Sequence, residues 1–376
     1  MLKFNFSERV SDFSSGRDNH FNLIRVVAAL AVLVSHSYPL SHGASAVAPL
    51  SEVLGISLGR LAVLVFFCAS GFFIAQSFYR RSSLIEFFWA RFLRIFPGLL
   101  MVLIGAVLVV GPLATTLPLS DYFSHEKTIS YVSQNLKLKD MQWGLPGVFA
   151  GVPFAGSVNG SLWTLYYEVA CYVFLAAVGV LGFCKSALRF GVFLAVYFSV
   201  YLVSKFFPEA VRGLSSTTWK TFFSLSFPFV LGWMIFHFRR MVVLSPAILV
   251  GLVLLAWIGA ETPAQLELLV IAIVYSTIYF GFKLPGALLQ YNRLGDYSYG
   301  VYIIAFPVQQ LIANFQHGVS PLSMMLQSAL LTIPLAICSW HLVEEPALRL
   351  KSKGAAIAAG MQRVLFTNPA KVEHRG

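Results

Sequence analysis

The sequence predicts an all-α, polytopic integral membrane protein of about ten transmembrane helices with both termini in the cytoplasm. Three observations carry that reading. The 376 residues are 57% hydrophobic and only 11% charged, with 34 Phe and a mean hydropathy of +0.75, whereas soluble domains are about a quarter charged. Ten apolar stretches approach or reach spanning length, near 20–40, 57–78, 95–113, 161–182, 190–207, 222–238, 242–260, 266–282, 297–315 and 323–342. Alternating them from the inside places nineteen Lys and Arg on the cytoplasmic side and six outside, the direction expected of the positive-inside bias.

The first stretch, NLIRVVAALAVLVSHSYPL, carries Arg25 and His36. Eleven residues of α-helix return nearly to the starting direction, so both side chains share one face, about 16 Å apart along the axis. Lipid does not accept such a pair cheaply, and an ionisable group inside a span marks a functional site by default. No convincing cleavage site follows the stretch, so it reads as a retained helix rather than a removed leader.

The second stretch contains FFCASGFFIAQSFYR. Ser70 and Gly71 form a small patch among phenylalanines, suited to close helix approach or to a slender ligand. Gln76 follows toward the inside. FFWARFLRIFPGLL brings Arg91 and Arg94 to the third stretch at i, i+3, on one helix face. Pro97 is expected to mark a turn or helix start. Guanidinium forks match phosphate oxygens, although positive-inside anchoring explains inner arginines as well.

The loop from about 114 to 160 is long enough to be functional or to hold short elements, re-entrant or amphipathic. The fourth stretch, SLWTLYYEVACY, carries Glu168. Counted from the outer ends of their stretches, Glu168 and His36 come to similar depth, and an imidazole beside a carboxylate is the usual form of an oriented general base. The plainer alternatives are a helix–helix hydrogen bond for His36 and a structural pair with another polar group for Glu168. The eighth stretch opens with Glu267. In the ninth, Asp296 and Ser298 stand at the inner start, where an Asp also caps a helix, and Pro307 implies a kink. His341, Glu344 and Glu345 precede Pro346 at the inner end of the tenth, where the proline is expected to end the helix.

Residues 1–350 read as one transmembrane domain and 351–376 as a short basic tail suited to an anionic membrane face. The four cysteines show no metal-ligand spacing, so no metal is expected. Basic residues gather at span ends rather than interleaving with aromatics on a polar surface, which argues against nucleic acid.

Together, NLIRVVAALAVLVSHSYPL, VFFCASGFFIAQSFYRR, FFWARFLRIFP, SLWTLYYEVACYVF, LGDYSYGVYIIAFPV and HLVEEPALRL resemble the membrane-bound acyltransferase-3 family, which includes O-acetyltransferases of bacterial surface sugars. The resemblance runs through nearly the whole chain in family order. It implies a catalytic role for His36, functional importance for Glu168, and donor-binding or structural roles near the inner face for Arg25, Arg91 and Arg94. Ser70 and Gln76 join the candidate donor-binding set from the residue reading. The resemblance further implies transfer of an acyl group, acetyl first, from cytoplasmic acyl-CoA to a hydroxyl of a cell-surface or lipid-linked glycan. The setting is the bacterial inner membrane, with membrane lipids and a homo-oligomer as further expected partners. Trp143, Trp163 and Tyr166 are the outer aromatics able to stack on a sugar. One departure is Ala305, in YIIAFPV, where the family often has a histidine. The rival reading is a proton-coupled transporter or flippase for a glycan or small anion, which buried Arg, His and Glu would also suit.

Overall fold

The structure is a computed structural model that describes residues 8–14, 16, 18–81, 83–207, 209 and 216–354. Lys3, Arg17, Arg212 and most of the basic tail (355–376) lie outside the described residues. All ten predicted stretches are helical. In chain order they are α1 (Phe21–His42), α2 (Leu58–Arg80), α3 (Leu84–Gly105), then a surface helix α4 (Glu126–Leu136), α5 (Trp163–Val180), α6 (Ala187–Phe206), α7 (Thr217–His237), α8 (Pro246–Ile258), α9 (Gln265–Lys283), α10 (Ser298–Phe315) and α11 (Pro321–Ser339). Serines start many of them. Ser57, Ser83, Ser186, Ser216, Ser245 and Ser320 each accept a hydrogen bond from a first-turn amide, which satisfies one of the donors left free at a helix start.

Among the described residues eight helices are long and apolar enough to cross a membrane. The two outside that set are α8 and α10, for different reasons. The 13-residue α8 is apolar but short. The connection before it dips into the protein, where the Tyr275 hydroxyl, midway along α9, donates to the Val243 carbonyl at 2.9 Å and accepts from the Ser245 amide. By contrast α10 is long enough but less apolar. Fifteen of its eighteen residues are buried, so it meets protein rather than lipid and can carry Tyr302, Gln309 and Gln310.

Two expected boundaries are corrected. Helix α3 starts at Leu84, not near 95, because Ser83 caps it, and Pro97 lies inside it. Arg91 and Arg94 therefore stand on a continuous helix, which runs on through a π turn (Ala106–Val110) to Ala114. Pro346 does not end the last helix either. A π turn (Trp340–Glu344) leads into the further turn Glu345–Arg349, where Pro346 occupies an initial position that needs no amide.

The bundle has two distinct ends. At one, which the Lys/Arg bias marks as inner, the N-terminal segment crosses under α7 and α9. Val10 N donates to Val242 O at 3.0 Å and His20 N to Gly281 O at 2.8 Å, and Lys283 pairs with Glu8. At the other end Lys205 holds Glu267 at 2.6 Å and the Pro263 carbonyl at 2.7 Å. The tightest helix crossing is α2 on α7. A Cβ on Gly71 would overlap the Phe229 carbonyl, and one on Gly232 would overlap the Cys68 carbonyl. Only glycine at both points lets the two backbones touch. Gly71 thus serves packing, while its neighbour Ser70 faces a cavity.

Candidate functional site

The inner half encloses a cavity of about 690 Å³, within the range of small-molecule sites. It draws on α1, α2, α3, α5, α10 and the segment after α11. Arg25, Ser70, Gln76, Arg91, Arg94 and Glu168, six of the seven sequence candidates, line it. Arg80, Tyr172, Asp296, Ser298, Tyr302 and Lys351 add to the wall.

The charges in this wall are not equivalent. Asp296 accepts from Arg94 at 2.6 Å and lies 3.5 Å from Arg25, and Ser298 Oγ donates to its other oxygen at 2.5 Å. Arg94 also reaches Glu344 at 3.8 Å, whose second oxygen accepts from Ser339 at 2.9 Å. Glu344 is 2% exposed. A carboxylate that deep is tolerable only with cationic and hydroxyl partners, so Arg94 is a clasp joining α3, α10 and α11. Arg91 is different. It leans over the Tyr172 ring, 6.0 Å from the centroid. Its Nε is buried without a hydrogen-bond partner, and among the described residues it has no ion pair. Arg80 and Lys351 at the rim likewise have none. The lining therefore holds five cations, Arg25, Arg80, Arg91, Arg94 and Lys351, against two carboxylates, Glu168 and Asp296. That balance favours an anionic ligand.

Gln76 is partly committed, since its side chain donates to the Ser14 carbonyl at 2.7 Å. Glu168 accepts a hydrogen bond from Tyr172. The structure does not pair it with His36. Thr164, one turn outward of Glu168 on α5, shares a 2.7 Å hydrogen bond with the Tyr302 hydroxyl. Phe306, one turn further out on α10, packs edge-on against His36 with ring centroids 5.4 Å apart. Glu168 therefore lies about two turns, roughly 11 Å, inward of His36. The depth match expected from sequence fails because the chain before α5 is already inside the protein. Asn159 and Ser161 are 3% and 1% exposed, so the chain is already packed among other segments before α5 begins.

His36 stands just beyond the outer end of the cavity. Phe66 and Tyr302 close that end, their rings 5.7 Å apart. The Tyr302 hydroxyl, besides its bond to Thr164, donates to Ser161 O at 2.9 Å. The Nδ1 atom of His36 is buried without a hydrogen-bond partner. Around it lie neutral polar groups that the sequence reading passed over. Gln309 donates to Leu33 O and Ser37 Oγ, each at 2.8 Å. Gln310 donates to Phe154 O at 2.8 Å and Ser157 O at 2.7 Å. Asn159 donates to Ile303 O at 2.8 Å, the carbonyl that Pro307, lacking an amide, leaves free four residues on. A Gln-Gln pair after a proline in an apolar run was the available signal. Ala305 is 2% exposed and offers no side-chain polar atom. Among the described residues no group of three or more His, Cys, Asp or Glu could hold a metal ion.

The comparisons agree with this geometry. The acyltransferase domain family matches residues 18–341, which run from the start of α1 to the end of α11. An O-acetyl transferase of Shigella phage Sf6 is 33% identical over 345 residues, covering 89% of this chain and 98% of the relative. Nodulation protein 10 of Rhizobium leguminosarum bv. viciae is 27% identical over 372 residues, covering 91% and 96%. No solved structure matches. A helical membrane bundle whose polar cavity gathers the family-like Arg25, Arg91, Arg94 and Glu168, with His36 just beyond it, thus coincides with a family match through almost the whole bundle, and the chain belongs to the membrane-bound acyltransferase-3 family.

Proposed function

We propose that this protein is an acetyl-CoA-dependent O-acyltransferase that moves the acyl group through the membrane to a hydroxyl of a cell-surface or lipid-linked glycan. In this reading ten helices cross the bacterial inner membrane, both termini are cytoplasmic, and the cavity opens to the cytoplasm. The observation that carries it is the cation excess of the inner cavity together with the position of His36 at its far end.

Arg91 and Lys351, which form no ion pair among the described residues, receive the donor's phosphates at the inner mouth, where those groups keep part of their hydration. The uncharged pantetheine arm runs along Ser70 toward Phe66 and Tyr302. Those rings part to bring the thioester to His36. The acceptor hydroxyl arrives from the outer side, and the imidazole removes its proton as the oxygen attacks the thioester carbonyl. The carbon–sulfur bond then breaks, and the departing thiolate takes the proton from the imidazolium. Glu168, bonded to Tyr172, adds negative charge beside Arg91 and limits how far like charges repel within the cavity. The Phe306 edge packs against the ring and limits its rotation.

Transfer of radiolabelled acetyl from acetyl-CoA in isolated membranes tests this. His36→Ala and His36→Gln should each lower turnover by about 10²–10⁴ while the protein still elutes as one folded species. Wild-type turnover in both variants would overturn the role of His36. Counterflow of labelled glycan in proteoliposomes lacking any donor would instead favour the transporter reading.

A further inference from the structure

The outer loop between α3 and α5 holds a second cavity, of about 520 Å³, on the opposite side of the molecule from the arginines. We infer that it is a carbohydrate subsite in which one sugar ring of the acceptor stacks on Trp143. This rests on the transferase reading and adds the acceptor's chemistry and where it is held.

Trp143 lines this cavity and is 43% exposed. Its indole offers a flat apolar face with a polar edge, the shape that stacks on a sugar ring. The backbone that carries it is fixed on both sides. Its carbonyl accepts from Val158 N at 2.8 Å. The preceding residue, Gln142, is clamped at both ends. Its amide donates to Asn135 Oδ1 at 3.0 Å, and its side chain donates to Lys127 O at 2.7 Å and Gly144 O at 3.0 Å while accepting from Ser130. With its backbone held, the residue loses little main-chain freedom when a ligand stacks on the indole.

The polar lining complements an oxygen-rich ligand. Gln142 is fully used by the frame, which leaves Lys127 and His125. His125 Nδ1 accepts the Lys127 amide at 3.1 Å, so its Nε2 carries the hydrogen and is a donor in the neutral ring. The Lys127 ammonium forms no ion pair among the described residues and is a donor too. The lining contains no carboxylate, so its charged group is a donor rather than an acceptor. Two donors beside an indole face suit the hydroxyls and apolar face of a pyranose ring.

The segment bonded to Trp143 also runs toward the histidine. Two residues beyond Val158 is Gly160, where a Cβ would lie 2.6 Å from the Phe306 ring, and Phe306 packs on His36. Two residues of chain span at most about 7 Å. A glycan seated at Trp143 therefore has its neighbouring rings beside the segment that borders the histidine.

The test uses the purified full-length protein in detergent and three hexasaccharide probes, of glucose, of N-acetylglucosamine and of galacturonate, with binding read by saturation-transfer NMR and isothermal titration. At least one probe should bind. Trp143→Ala should weaken it about tenfold, Trp143→Phe should retain most of the affinity, and Lys127→Gln should weaken it less than Trp143→Ala. Equal binding to wild type and Trp143→Ala, or no binding of any probe to the wild type, overturns the subsite. Acetyl transfer separates this from the broader reading. A raised acceptor KM with unchanged donor KM in Trp143→Ala supports the subsite. Unchanged acceptor KM overturns it and leaves the transferase standing. Saccharide binding with no transfer by the wild type keeps the subsite and removes the transferase.

Discussion

The inner and outer halves of this bundle solve the burial of polar groups in opposite ways. The inner half uses charge. Asp296 and Glu344 are held by Arg94, with Arg25 and two serines completing the set, and Arg91 is left over. The outer half around His36 uses neutral groups. Gln309, Gln310 and Asn159 donate to carbonyls of α1, the outer loop and α10. Water can reach the inner mouth and share the burden of ions. No such relief exists at the level of Phe306, where an unpaired ion would cost far more than an amide. The difference leaves unpaired positive charge in one half and sets the histidine among neutral groups in the other.

The sharpest way to break that contrast is Arg94→Ala, which leaves the buried Glu344 without a cation and Asp296 with Arg25 alone. The expected loss is about 3–5 kcal/mol, read as a large fall in the thermal midpoint of the detergent-solubilised protein. If Arg94 were merely a phosphate ligand, the midpoint would hold. In the outer half, Gln310→Ala strips the donor from two loop carbonyls and should cost about 1–3 kcal/mol. It should also speed proteolysis within 141–160, and an unchanged digestion pattern would mean that the loop is held by other contacts. Arg91→Ala should be smallest in stability and selective in function. It removes no ion pair, so the midpoint should stay within about 0.5 kcal/mol of wild type, while donor KM rises about tenfold. Equal donor KM values would remove Arg91 from the donor site.

Much of the site was legible because ionisable residues in apolar helices have so few acceptable places. Arg25, Arg91, Arg94 and Glu168 could be singled out from the stretches that hold them, and the structure brings all four to one cavity. The division of labour among them was not legible. Arg91 and Arg94 share a helix face three residues apart, and only the arrival of Asp296 and Glu344 from α10 and α11 makes one a clasp and the other free. The proposed match of Glu168 to His36 failed for a related reason. Depth counted along the chain assumes that each apolar run begins at the surface of the bundle, and the run before α5 begins buried within it.

By itself, then, the sequence determined the helical class, the ten helical stretches and the polar residues confined within them, because hydropathy and backbone hydrogen bonding in lipid leave little choice. Tertiary structure alone decided which arginine meets which carboxylate, that Gln309, Gln310 and Asn159 tie the outer half together, and that an exposed tryptophan stands over an outer cavity. Those outcomes depend on helix rotation and on loops that fold back into the bundle, and residues far apart in the chain carry no local trace of either.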